Sequence, residues 1–211
     1  YIFAREKGTE EHVPDLDGPQ RGKLSPQFWL AWIGFVACIS SEFATTFWAA
    51  ALLRDRVGST AAISTVCIVA LGTGMGIGRW FGGPALKRFK LDHQLQILIG
   101  TQFIGFTILW FSHILLVSLV SLFIIGLGIS MQFALASIRL IGLSDNRPDL
   151  AIGKSSLAAG LAIGGAPFLL GVLGDSLGIS LAYIMVPVLI AIAMIIIIKV
   201  PSHDDTNIIK S

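Results

Sequence analysis

The fold is decided by residues 28–48, which read FWLAWIGFVACISSEFATTFW. This run is apolar apart from a few small polar side chains and one carboxylate, Glu42. At 1.5 Å per helical residue, Glu42 lies about 20 Å from the Trp29 end, deep within a length that spans a bilayer. An ionisable group at that depth costs at least about 2–3 kcal/mol and usually faces a bundle interior or a water-filled cavity. The run therefore predicts a membrane-spanning helix whose carboxyl group needs a functional or structural explanation.

The composition of the whole chain is typical of an integral membrane protein. Of its 211 residues, 54% are hydrophobic and 13% are charged, whereas soluble domains carry about 25% charged residues. The basic residues lie between apolar runs and form no patch, which argues against a nucleic-acid partner. The two cysteines, Cys38 and Cys67, lie inside apolar runs without metal-site spacing. The sequence thus predicts no metal and no cofactor, and a lipid bilayer as the surroundings.

Apolar runs organise the chain into six predicted spans. We place them at 28–52, 58–81, 94–112, 114–140, 154–174 and 178–200. The third and fourth form one run too long for a single crossing, so the chain is expected to fold back at Ser112-His113. Residues 1–27 and 201–211 are polar and are predicted to be a central-loop segment and a tail. A start at Tyr1 without Met leads us to expect a fragment.

The distribution of Lys and Arg predicts the orientation. Thirteen of the fifteen fall on one side of the predicted spans, and only Arg54 and Arg56 fall on the other. Because loops rich in Lys and Arg stay on the cytoplasmic side, both ends of the segment are expected to be cytoplasmic. The sequence predicts a multi-pass protein of an inner or plasma membrane.

Two spans are rich in glycine. Residues 71–78 read LGTGMGIG, but a dinucleotide-binding loop would need a preceding strand and an aqueous helix start. The pairs Gly72/Gly76 and Gly74/Gly78 instead have the spacing that lets two membrane helices approach closely. In the fifth span, glycines surround Pro167 and predict a kinked or closely packed helix. Its site residues are Gly164, Pro167 and Gly171.

The stretch from Gly78 to Lys90, GRWFGGPALKRFK, resembles the signature loop of the major facilitator superfamily, G-R-x-x-G-G-x-x-x-D-R-x-G. The matching residues are Gly78, Arg79, Gly82, Gly83 and Arg88. Lys87 stands where the family usually has Asp, and Lys90 stands where it usually has Gly. Residues 164–178, GGAPFLLGVLGDSLG, resemble the eleventh helix of the family and the turn after it.

The resemblance implies the C-terminal half of a twelve-helix transporter. It implies a missing N-terminal six-helix half, a small-molecule substrate bound between the halves, and a cytoplasmic gate loop formed by the matching residues. It also implies that the first, second, fourth and fifth spans face the central cavity. The expected function is secondary active transport by alternating access, in symport or antiport, with protons as the expected coupling ion.

Four polar residues in cavity-facing spans are the candidates for substrate binding or proton coupling. They are Glu42, Ser41, Thr45 and Gln132. Glu42 is interpreted either as a proton-coupling or substrate-binding carboxyl, or as a hydrogen-bonded structural group. Gln132 is either a substrate contact or an interhelical hydrogen bond.

Two other classes of protein are weighed against transport. An intramembrane protease would need, for example, a serine nucleophile with a histidine inside the spans, but no G-x-S-x-G occurs and no histidine lies deep in a span. The sequence therefore predicts that the protein is not an enzyme. The remaining alternative is a self-contained six-span channel or a small dimeric transporter.

Overall fold

The computed structural model describes residues 22–58 and 60–202. Every regular element among them is an α-helix: α1 (Pro26–Val57), α2 (Ala61–Leu86), α3 (Leu91–Phe111), α4 (Leu115–Ile129), α5 (Gln132–Gly142), α6 (Pro148–Leu177), α7 (Ile179–Ala182) and α8 (Met185–Lys199). Helices α4 and α5 form one span, as do α7 and α8, so six spans are long and apolar enough to cross a membrane. The prediction of an all-α protein with six membrane-length spans is confirmed. Most of the predicted polar segments 1–27 and 201–211 lies outside the described residues.

Local signals fix the two ends of α1. Ser25 is the N-cap and accepts a hydrogen bond from the backbone N–H of Phe28 at 3.2 Å, and Pro26 follows as the first helical residue. Both are favoured at helix starts, because the cap satisfies a free N–H and proline has none to lose. Gly58 ends the helix at a φ of 65°, a left-handed conformation that glycine adopts without steric cost.

The predicted fold-back between the third and fourth spans is confirmed. Helix α3 ends at Phe111 and α4 begins at Leu115, so the connection consists of Ser112, His113 and Ile114. The Ser112 hydroxyl accepts a hydrogen bond from the N–H of Ile114 at 3.2 Å. The serine side chain thereby pairs a backbone N–H that has no partner within a helix at this turn.

The second span is longer than predicted, because α2 continues to Leu86 instead of ending near residue 81. Pro84 lies inside the helix and Lys87 N still donates to Gly83 O at 3.0 Å. Gly78 and Arg79 are helical, as the predicted span 58–81 has them, whereas the loop predicted for Gly82 and Gly83 is wrong, because both are helical too. Only Arg88 lies in the connection to α3. A membrane favours this outcome, since helical pairing is the only local way to satisfy the backbone there.

Helix α1 is the centre of the bundle. It packs against α2, α5, α6 and α8, while α4 packs against both α2 and α3. From residue 37 to residue 42 every side chain of α1 is buried. The second and fifth spans, α2 and α6, are the least buried of the six. The bundle thus has a closed core around α1 and two spans with open faces.

Glycines bring α2 and α4 into direct backbone contact. A Cβ added at Gly126 would collide with the backbone oxygen of Leu71 and come within 3.1 Å of Gly74 Cα. A Cβ added at Gly78 would collide with the Ser130 side chain. The second predicted glycine pair, Gly74/Gly78, therefore packs against the fourth span, as small residues at membrane helix contacts do.

The other pair, Gly72/Gly76, does not make the predicted packing contact. Both glycines are exposed, and a Cβ added at either would meet no atom within 4 Å. They lie two residues from the packing pair, and a two-residue step rotates a helical position by about 200°, to the far side of α2. Both pairs have the spacing of a helix-packing pair, but of the two only Gly74/Gly78 faces a neighbouring helix among the described residues.

Gly126→Ala is expected to destabilise the bundle, whereas Gly72→Ala leaves it unchanged or slightly more stable. The first adds a methyl group against immovable backbone, at a cost of about 1–3 kcal/mol, and the second only improves helix propensity. A thermal unfolding series in detergent, with both variants and wild type, measures the difference. Equal melting temperatures for the two variants would show that α2 and α4 do not approach this closely.

A buried ion pair closes the end of the bundle at which α1 begins and α8 ends, here called the basic end. Arg139 Nε donates to Asp92 Oδ1 at 2.8 Å, and the Arg139 side chain is only 4% exposed. Arg139 Nη2 also donates to the backbone oxygen of Val200, and Ser202 N donates to Asp92 Oδ2 at 2.6 Å. The ends of α5 and α8 are therefore tied to the start of α3.

Candidate functional site

Glu42 lies near the middle of the central helix. It is sixteen residues after Pro26 and fifteen before Val57, or about 24 and 22 Å from the two ends of α1. The residue is 8% exposed. Its depth is thus as predicted, and its carboxyl group is almost enclosed by protein within the described part.

One basic residue of the second span, Arg79, lies near this carboxyl group. It lies in α2, which packs against α1, and its guanidinium group is within electrostatic range of Glu42. Arg79 Nε donates a hydrogen bond to the backbone oxygen of Ser130 at 3.0 Å. The sequence placed this arginine in a gate loop, whereas the structure places it inside a membrane-length helix.

The fourth span is broken where Arg79 touches it. Helix α4 ends at Ile129 and α5 begins at Gln132, with Met131 in a non-helical conformation (φ −122°, ψ 1°). A break inside a span is tolerated only where protein groups satisfy the freed backbone. Arg79 does this for Ser130 O, and Gln132 Nε2 donates across the break to Gly128 O at 3.1 Å. This break was not predicted, since no proline marks it in the sequence.

A chain of buried amides connects the break to α1. Gln132 Nε2 donates to Gln102 Oε1 at 2.8 Å, and Gln102 Nε2 donates to Ser41 Oγ at 3.1 Å. Ser41 Oγ then donates to the backbone oxygen of Cys38 at 2.8 Å. Gln132, Gln102 and Ser41 are each 1% exposed, so the chain is internal. It joins the first, third and fourth spans one residue away from Glu42.

Of the two interpretations of Gln132, these contacts favour the interhelical hydrogen bond. Gln132 Oε1 is nevertheless buried without a hydrogen bond to any described residue, so the amide keeps one open acceptor. Gln102 was not among the predicted site residues, because the third span was expected to be peripheral. A buried amide needs a partner, and that is the only signal by which the sequence could have linked Gln102 to Gln132.

Thr45 is held within the bundle. Its hydroxyl donates to Ser41 O at 2.7 Å, and its backbone oxygen accepts a hydrogen bond from the Tyr183 hydroxyl at 3.4 Å. Thr45 is fully buried. The described contacts of Ser41 and Thr45 are thus with helices, and a role of either in substrate binding stays a prediction.

The fifth span contacts α1 through the predicted proline and one predicted glycine. Trp48 Nε1 donates to the backbone oxygen of Pro167 at 3.0 Å, and a Cβ added at Gly171 would lie 3.0 Å from the Trp48 ring. Helix α6 runs through Pro167 without interruption. Gly164 faces open space, with no atom within 4 Å of an added Cβ.

The remaining predicted gate residues do not form one cluster. Gly82 contacts the fourth span, where an added Cβ would lie 2.9 Å from Met131 Sδ, but Gly83 has no neighbour within 4 Å of an added Cβ. The Arg88 guanidinium lies over the Phe89 ring, 5.0 Å from its centroid. Their role in a gate stays a prediction.

Gln102→Leu and Gln132→Leu separate the two interpretations of Gln132. If the amides only join helices, each change lowers stability by about 1–3 kcal/mol, and the double variant costs less than the sum. Substrate affinity then changes little in either variant. A substrate KM that rises in Gln132→Leu but not in Gln102→Leu would identify Gln132 as a substrate contact.

The structure thus brings a mid-span carboxyl group, an arginine of the second span and a broken helix to one region of the bundle. No protein-family model matches the sequence, and no curated protein is found to match it.

Proposed function

We propose that this chain is the C-terminal six-helix half of a secondary active transporter of the major facilitator type. It moves a small solute across an inner or plasma membrane by alternating access, with both ends of this segment in the cytoplasm. Glu42 carries the proton that couples transport to the gradient. The resemblance of residues 78–90 and 164–178 to the family supports the assignment.

The observation that carries the proposal is the position of Glu42. An 8% exposed carboxyl group at mid-span, within range of one arginine, is expensive unless its protonation state is used. In an alternating-access cycle, such a group takes up a proton from one side and releases it to the other. The two glycine-rich spans with open faces are α2 and α6, which lie on either side of α1. They are suited to contact the N-terminal half of the transporter.

Proteoliposomes containing the full-length protein test this function. An imposed pH gradient is expected to drive at least one member of a panel of small solutes to a higher concentration inside than outside. A protonophore should collapse that accumulation. Downhill ion currents without accumulation would instead support the six-span channel, and accumulation that survives the protonophore would remove protons as the coupling ion.

A further inference from the structure

The side chain of Arg79 is exposed but is bonded through Nε to the fourth span instead of extending towards the basic end. Gly78, the residue before it, packs directly on Ser130, so Arg79 Nε meets Ser130 O at the level of its own helical turn. A side chain that extended to the interface would instead run along α2 towards Leu86, seven residues or about 10 Å away. The hydrogen bond therefore holds the guanidinium group beside Ser130, near the middle of the fourth span.

Most of the hydrogen-bonding capacity of Arg79 is unused. A guanidinium group has five N–H donors, and Nε supplies the only hydrogen bond of this side chain to the described residues. Both terminal nitrogens of Arg79 lack an ion pair within residues 22–58 and 60–202, and the residue is exposed. Such an edge of two terminal nitrogens matches the paired oxygens of a carboxylate or phosphate.

Glycines leave room beside this edge. Gly76 is three residues before Arg79 and Gly83 is four residues after it, so all three share one face of α2, and Gly72 continues that face. A Cβ added at any of these three glycines would meet nothing within 4 Å. The pair Gly72/Gly76, which makes no packing contact, thus forms an open strip beside a fixed arginine. We call Gly72, Gly76, Arg79 and Gly83 the arginine face.

We propose that the arginine face binds the anionic group of the transported solute and that this solute is a small carboxylate. The proposal rests on the transport function above and names its substrate class. While Glu42 is protonated, the guanidinium group of Arg79 can balance one negative charge of a solute, which favours a monoanionic group over a doubly charged phosphate. The hydrogen bond from Nε to Ser130 O orients the arginine beforehand, so little side-chain freedom is lost on binding.

Binding and transport by the full-length protein test this assignment. The probes are acetate, lactate and succinate, each beside its methyl ester, and the variants are Arg79→Gln, Arg79→Lys and Gly76→Leu. The control is Arg54→Gln, which removes an exposed arginine in the last turn of α1, at the end of the bundle opposite the basic end. At least one carboxylate, but no ester, should be accumulated and should raise the melting temperature in detergent.

Arg79→Gln is expected to raise KM for the carboxylate by about tenfold or more. Arg79→Lys should raise KM less, because lysine keeps the positive charge but lacks the paired N–H groups of a guanidinium. Gly76→Leu should raise KM similarly, because the leucine side chain fills the arginine face. This variant keeps the hydrogen bond from Arg79 to Ser130, so it still tests the site if Arg79→Gln fails to fold. Arg54→Gln should behave as wild type.

Two results would overturn the assignment. Accumulation of neutral solutes alone, unchanged in Arg79→Gln, would refute the anion site and leave proton-driven transport standing. Stabilisation by phosphatidylglycerol but not by the carboxylates, lost in Arg79→Gln, would make Arg79 a lipid contact. If no solute is accumulated, the transport proposal fails, and the melting-temperature series still decides the anion site.

Discussion

Replacing Glu42 by glutamine is expected to abolish proton-driven accumulation of solute in proteoliposomes while leaving solute exchange intact. Glutamine keeps the size and hydrogen bonding of a neutral glutamic acid but never releases a proton. A carrier that must unload its proton to complete the cycle then stops at the loaded form, which still exchanges bound solute across the membrane. Uptake under a pH gradient and counterflow at equal pH measure the two activities separately.

Asp175→Asn is the matched control for this prediction. Asp175 lies in the last turn of α6, is exposed, and is far along the chain from any mid-span position. Its replacement should leave both activities unchanged. Wild-type accumulation by Glu42→Gln would refute the coupling role, and loss of both activities with a lowered melting temperature would instead favour a structural carboxyl group.

The second large effect is expected at the basic end, where Asp92→Asn leaves the buried guanidinium of Arg139 without its counter-charge. Removing one partner of a buried ion pair costs about 3–5 kcal/mol. Unfolding in detergent can be followed with a thiol-reactive dye, because Cys38 and Cys67 are both buried. Asp149→Asn is the control, since Asp149 occupies the first turn of α6 as Asp92 does that of α3, but is exposed.

A double variant tells whether Asp92→Asn destabilises the bundle by leaving a charge unpaired or by disturbing the packing. Adding Arg139→Leu to Asp92→Asn removes the uncompensated charge, so part of the stability should return. Additive losses would mean that the two residues act independently, contrary to the 2.8 Å contact between them. Transport is a further readout, because a loosened basic end changes the rate of conformational exchange before it changes substrate affinity.

The six spans were predictable because bilayer thickness sets their length and because apolar runs of that length are rare elsewhere. The turn at Ser112 was predictable for the same reason, since no helix of the combined length fits a membrane. The end of α2 at Leu86 was not predictable, because the sequence Gly82-Gly83-Pro84 would indicate a loop in a water-soluble protein. In an apolar surrounding, the cost of unpaired backbone outweighs these local preferences.

The candidate site was only partly predictable. Glu42 stands out because a carboxyl group in an apolar run is conspicuous in any sequence. The contact between Arg79 and Ser130 joins residues 51 positions apart, and the pair Gln102 and Gln132 spans 30. One sequence does not encode such pairings in its local pattern. For the same reason, equal spacing could not tell which glycine pair of α2 faces a neighbour.

The open glycines of α2 and α6 also determine where a chemical reporter can be attached. A Cβ added at Gly72 or at Gly160 meets nothing within 4 Å, so a cysteine at either position needs no rearrangement of the bundle. Cys38 and Cys67 are buried and react slowly by comparison. A pair of spin labels at Gly72 and Gly160 therefore gives the separation of the second and fifth spans directly in the solute-free protein.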